Sequence, residues 1–229
     1  MNIFYSWQAD TPDKIGRDFI RQSLEMAIDL VFDEMGLDES DRPYLDQDTK
    51  GILGSPPIAD TILEKIAASN VFVADVTLVG EVLGSKKLIN SNVAYELGYA
   101  HGKLSDKSLL KIMNTYYGLP EALPFDLKHR RWPIQFFLAP DASKEERRET
   151  RKGLSKKLRK ILTDYLSDSL ANQSESYRPI DALTNRAVYW DASQPLIVSN
   201  SESYGYAVEQ PLIYQRMWPD KTLEDLTGI

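Results

Sequence analysis

Apolar positions along the first 140 residues follow two periods, short continuous runs alternating with stripes spaced three and four apart. Asn2-Ile3-Phe4-Tyr5 predicts a strand that ends at Ser6-Trp7. From Asp13 to Met35, Ile15, Phe19, Ile20, Leu24, Ala27, Ile28 and Val31 trace one face of a helix, with Thr11-Pro12-Asp13 as its start signal. Pro43-Tyr44-Leu45 predicts a short second strand, which leads into a turn-rich segment running from Asp46 to Pro57. Ile58, Ile62, Leu63 and Ile66 mark a second helix. Val71-Phe72-Val73-Ala74-Asp75-Val76 is a continuous apolar strand of the kind covered on both faces. A loop follows, and then a third helix over Asn92–Leu104, with Asn92 as N-cap and Val93, Leu97 and Ala100 on its inner face. Leu109–Met113 and Ile134–Leu138 are the remaining strands, separated by an irregular Pro- and Arg-rich stretch.

Strand and helix alternate throughout, so the fold class is α/β, a parallel sheet with helices on both faces and right-handed crossovers. Beyond residue 141 the pattern changes. Leu154, Leu158, Ile161, Leu162, Tyr165 and Leu166 form the apolar stripe of a long helix whose other face is dense in Lys and Arg. Glu145, Glu146 and Glu149 dilute that positive field, so the helix is read as an amphipathic element closing the domain rather than as a nucleic-acid surface. The tail beyond Ser167 is polar and then rich in Tyr, Pro and Trp, a composition that argues for order, packed on the sheet domain or on a second subunit. The expected organisation is an α/β domain over 1–140 and a C-terminal extension over 141–229.

Composition narrows the chemistry. The 229 residues include no Cys and only two His, which removes disulfides, thiolate nucleophiles, iron–sulfur clusters and Cys-bearing zinc sites. His101 and His129 form no HExxH pattern, and neither has a nucleophile-elbow Ser nearby. No metal site is expected, and an enzyme built on this chain works with carboxylates, hydroxyls and backbone amides. A net charge of −7 disfavours direct contact with nucleic acid or anionic membranes. No apolar run approaches the roughly 20 residues of a membrane span. The opening MNIFYSWQAD lacks the regions of a signal peptide, so a cytoplasmic location is the expectation.

In an open parallel sheet, ligands bind beyond the carboxyl ends of the strands. Tyr5, Ser6 and Trp7 follow the first strand, Asp46 through Ser55 the second, Asp75 and Thr77 the third, and Asn114 the fourth. Glu96 lies one turn after Asn92 on the third helix, among small, aromatic and apolar neighbours. Partial burial there gives a carboxylate the environment that catalysis requires, although a capping or salt-bridged Glu fits the same position. Asp75 suits either a ligand group or a cap. Trp7 and Tyr5 are able to stack a base or to sit as core aromatics. The Gly51/Gly54 loop is not a Walker A sequence, and GxGxxG is absent. Together these groups suit a ribose or a nucleotide.

FYSWQ at 4–8, DTKGILGSP at 48–56, VFVADVT at 71–77, NSNVAYELGYA at 90–100 and LPFDLKHRR at 123–131 together resemble a bacterial TIR-like family, related to nucleotide-binding TIR-like proteins of antiphage defence loci. The ELGYA element is also similar to nucleoside 2-deoxyribosyltransferases. The resemblance covers about residues 1–140 and implies a flavodoxin-like three-layer sandwich. Ser6-Trp7-Gln8-Ala9-Asp10 matches the family's Ser-x-x-x-Asp opening, with Trp7 bulkier than usual.

The resemblance implies an NAD⁺ glycohydrolase, an effector of bacterial immunity with Glu96 as its catalytic carboxylate. NAD⁺ is then substrate, with no separate cofactor, and Tyr5, Ser6, Trp7, Asp48, Ser55, Asp75 and Asn92 surround it. The 48–56 loop is expected to gate the site and mediate homo-oligomer formation, with a partner protein or nucleotide signal as activator. His101, one turn beyond Glu96, is placed to tune it. A nucleoside N-glycosidase or deoxyribosyltransferase, and a non-catalytic nucleotide receptor, are the alternatives.

Overall fold

A computed structural model of the chain describes residues 1–47, 58–82, 86–129 and 132–176, together with the backbone of two strands at 186–189 and 197–200. It divides into two compact units, Met1–Tyr165 and Leu166–Ile229. In the first unit, β1 (Asn2–Ser6) leads through a short turn at Asp13–Ile15 into α1 (Arg17–Met35), which stops at Gly36, a left-handed residue at φ 58°. Then come β2 (Tyr44–Asp46), α2 (Ile58–Ala67), β3 (Val71–Asp75), a hairpin of β4 (Leu78–Val82) and β5 (Lys86–Ile89), α3 (Ser91–Lys103), β6 (Leu109–Asn114), α4 (Phe125–Lys128), β7 (Ile134–Phe136) and α5 (Lys144–Ser176).

Five strands form one sheet in the order β2-β1-β3-β6-β7, every pairing parallel, an arrangement compatible with the flavodoxin-like fold. The register pairs Phe4 with Phe72 and Ser6 with Ala74. Side chains alternate between faces, so those residues share one face and Ile3, Tyr5, Val71 and Val73 share the other. On the first face, Ile66 of α2 and Val93, Leu97 and Ala100 of α3 pack with Phe4, Phe72, Ala74 and Met113. On the second, Phe19 of α1 meets Phe136 with ring centroids 4.9 Å apart. These two faces make a three-layer α/β sandwich.

α5 begins with a capping box in which Glu146 N donates to Ser143 Oγ at 3.1 Å and Ser143 N to Glu146 Oε2 at 2.7 Å. Leu154, Leu158 and Leu162 are fully buried, and Ser155 Oγ donates to the Ser23 carbonyl of α1 at 2.9 Å. Arg159 pairs with Glu34 at 2.7 Å, and Lys157 Nζ donates to the Gln135 carbonyl at 2.9 Å. Two cations of the basic face thus bond to α1 and to β7. The first compact unit continues to Tyr165, with the stripe of α5 buried and Ser155 bonded to α1.

Three expectations change. The loop after β3 is an antiparallel hairpin, β4 with β5. The cap of α3 is Asn90 rather than Asn92; Asn90 Oδ1 accepts from Asn92 N at 2.9 Å and Val93 N at 3.2 Å. The last strand ends at Phe136, because Leu138 turns its backbone to Asn114. In the second unit, β8 (Arg186–Tyr189) and β9 (Ile197–Asn200) pair antiparallel, and the expected packing of the aromatic tail lies outside the described residues. No helix among the described residues is long and apolar enough to cross a membrane.

Leu158→Ala is expected to cost about 2–5 kcal/mol in urea unfolding, and Lys156→Ala no more than about 0.5 kcal/mol. A Leu158 variant as stable as the parent contradicts the inclusion of α5 in the first unit's core.

Candidate functional site

β1 ends with Ser6 on the face covered by α3, and Glu96 projects from the second turn of that helix. Ser6 Oγ donates to Glu96 Oε2 at 2.5 Å, a short hydrogen bond from a hydroxyl to a carboxylate. Ser6 is buried and Glu96 is half-buried, so one carboxylate oxygen is fixed from the sheet side. The helix that carries Glu96 is anchored at its start by the Asn90 cap. Asn90 Nδ2 also donates to Asp10 Oδ2 at 2.7 Å, joining the loop after β1 to the N-terminus of α3.

Between that loop and α3 lies a cavity of about 370 Å³ whose wall includes Ser6, Trp7, Asp10, Asn90, Asn92 and Glu96. Small-molecule sites fall in the range of roughly 300–1,000 Å³. The cavity sits at the carboxyl end of β1, one of the two strands, β1 and β3, between which the strand order reverses and where such sheets bind ligands. Trp7 contributes an aromatic surface, with the Arg17 guanidinium 3.5 Å from its ring centroid. A hydroxyl, two carboxylates, two asparagine amides and an aromatic plane converge on one small volume.

Of the expected site residues, Ser6, Trp7, Asn92 and Glu96 meet at this cavity. Tyr5 also borders it, but strand alternation turns its ring to the α1 face, where it is a fully buried core aromatic. Its hydroxyl finds no partner among the described residues, and burial, helped by the charge of Asp75, raises its pKa well above 10.0. Of the two aromatics expected to stack, Trp7 remains on the cavity wall. Asp75 is not on the cavity wall. Asp48 and Ser55 lie outside the described residues.

Behind the wall runs a buried polar network. Gln8 Nε2 donates to Thr11 Oγ1 at 2.9 Å and to Asp75 Oδ2 at 3.3 Å. Gln8 Oε1 accepts from Asp10 N at 2.5 Å and Thr11 N at 3.1 Å. Asp75 Oδ1 accepts from Thr77 N at 3.0 Å, and Thr77 Oγ1 accepts from Asn114 N at 2.9 Å. Asn114 then ties the network to Leu138, accepting from its N at 3.0 Å and donating to its carbonyl at 2.9 Å. Burial pushes the Asp75 carboxyl above its ordinary 3.8, while hydrogen bonds from Thr77 and Gln8 pull it back part of the way.

Gln8, Asp10 and Asn90 escaped the sequence reading of the site. The Ser-x-x-x-Asp spacing pointed at Asp10, and Asn90 was legible as a helix cap. Nothing local marks Gln8, whose role depends on reaching Asp75 in three dimensions. His101 Nδ1 donates to the Leu97 carbonyl of its own helix at 2.9 Å and does not line the cavity. His129 is exposed beside Phe125. Among the described residues, no group of three or more His, Asp and Glu side chains is placed to hold a metal ion. No protein-family model matches the chain, and no curated protein matches it.

The raised Asp75 value sets the sign of one pH effect. Between 3.8 and the higher folded value, the native state holds the proton more tightly than the unfolded chain does. Stability contributed by Asp75 is thus greatest below that window and falls as pH rises through it. Urea unfolding of the parent and Asp75→Asn across the window is expected to show the parent losing ground to the variant as pH rises. A parent that gains on the variant contradicts the burial argument.

Proposed function

We propose that this protein is a TIR-like NAD⁺ glycohydrolase with a flavodoxin-like sandwich, in which Glu96 is the catalytic residue. The observation that carries this reading is the Ser6–Glu96 hydrogen bond on the wall of a cavity at the sheet's switch point. The sequence resemblance over residues 1–140 supports it, as does the β2-β1-β3-β6-β7 order.

The chemistry matches the available groups. In NAD⁺ the nicotinamide nitrogen is cationic, so when the bond to the ribose C1′ breaks, its electron pair moves to nitrogen and neutral nicotinamide leaves. Positive charge develops on the ribose as an oxocarbenium-like centre, which the Glu96 carboxylate stabilises electrostatically or through the ribose hydroxyls. Water then adds at C1′ and releases a proton, giving ADP-ribose, nicotinamide and H⁺. Ser6 keeps the carboxylate aimed, Asn92 offers an amide to a hydroxyl, and Trp7 offers a stacking plane. The reaction needs no thiol, histidine or metal.

In this reading the protein is an effector of bacterial antiphage immunity, acting in the cytoplasm and activated by self-association under a partner protein or nucleotide signal. Asp48 and Ser55 belong to the gating loop in the same proposal.

Purified protein incubated with NAD⁺ over a range of protein concentrations is expected to release nicotinamide, more than in proportion to concentration. Glu96→Gln is expected to lower that release by about 10²–10³-fold while leaving the fold intact. Full release by Glu96→Gln overturns the residue assignment. Base release from deoxynucleosides and none from NAD⁺ overturns the substrate assignment in favour of a nucleoside glycosidase or transferase.

A further inference from the structure

Gln8 lies on the loop that forms the cavity rim, yet its side chain is buried and both ends of its amide are committed. Two backbone N–H groups, of Asp10 and Thr11, point at one amide atom, which must therefore be the carbonyl oxygen. The amide nitrogen is then forced toward Asp75, an acceptor whose other oxygen is occupied by Thr77 N. Polarity at the Gln8–Asp75 contact is fixed from both sides, and neither group is free to turn over.

We propose that Gln8 and Asp75 are a positioning pair, in which Asp75 acts through Gln8 to set the backbone of residues 8–11 and so hold Asp10 against Asn90 at the cavity rim. The inference rests on the reading of this cavity as the substrate site. Asp75 contacts neither the cavity nor its occupant in this account. It is anchored in β3, one strand away from β1, and transmits that rigidity through one hydrogen bond. Asp10 then pairs with the residue that caps α3, so the rim and the helix carrying Glu96 are held at one separation. A side chain at position 8 that satisfies the two backbone N–H groups but not Asp75 leaves a buried carboxylate short of a donor, and the loop moves to relieve it.

Exchange of the two functional groups tests the pair. Gln8→Glu sets an acceptor against an acceptor, and Asp75→Asn sets a donor against a donor. The double variant restores one donor facing one acceptor, with the introduced carboxylate still able to accept from Asp10 N and Thr11 N. In the full-length chain, amide hydrogen exchange at Asp10 and Thr11 reads the loop directly, without substrate. Each single variant is expected to lose about tenfold in protection there and to raise the KM for NAD⁺ by about tenfold, with kcat changed less. The double variant is expected to return both to within about threefold of the parent.

Unchanged protection in either single variant overturns the proposal, as does a double variant no better than the worse single. Where the parent neither binds nor cleaves NAD⁺, the substrate reading fails. The exchange data still decide whether the pair sets the loop. Global unfolding separates from loop loosening because it lowers protection in β3 and β6 as well.

Discussion

The Ser6–Glu96 hydrogen bond joins the end of β1 to α3 at the cavity wall, and the site's geometry depends on it. A glutamate half out of water on a helix surface has several rotamers to choose from. A hydroxyl at 2.5 Å selects one of them and supplies a donor that burial would otherwise deny. That hydroxyl is aimed at α3 only because Ser6 is two residues from Phe4, whose side chain is fixed in the core on the same face. A one-residue slip of β1 would send Ser6 to the α1 face and Tyr5 toward Glu96.

The same constraint organises the rest of the sheet's carboxyl edge. Buried polar groups require partners, and Gln8, Asp75, Thr77 and Asn114 supply them to one another in a line from β1 through β3 to β6. Gln8 borders the cavity, and Asp75, Thr77 and Asn114 lie behind it. The cavity takes its chemistry from the residues in front and its rigidity from the residues behind. Asp75 therefore belongs to the support behind the cavity, whereas Trp7, Asn92 and Glu96 line it.

Much of the α/β architecture was legible because each sheet strand carries a continuous apolar run and each main helix a stripe at helical spacing. The β4–β5 hairpin was not, since its strands are short, half-exposed and interrupted by Gly80. Two asparagines on either side of Ser91 made the α3 cap ambiguous, and only geometry selects Asn90. At the site, Glu96 and Ser6 were legible from position at strand and helix ends. The inward ring of Tyr5 follows from alternation alone, whereas its place at a strand end points to the ligand edge. Gln8 had no local signal, because its partner Asp75 is distant in sequence.

Trp7, Ser6, Asn92 and Glu96 are the account's substrate-facing groups, and the location of NAD⁺ relative to them is its central claim. A crystal structure of Glu96→Gln bound to NAD⁺ measures that location. The account predicts the nicotinamide ribose in the cavity, its C1′ facing residue 96 and an aromatic ring of the dinucleotide against Trp7. NAD⁺ bound elsewhere, or held with C1′ turned away from residue 96, would contradict it.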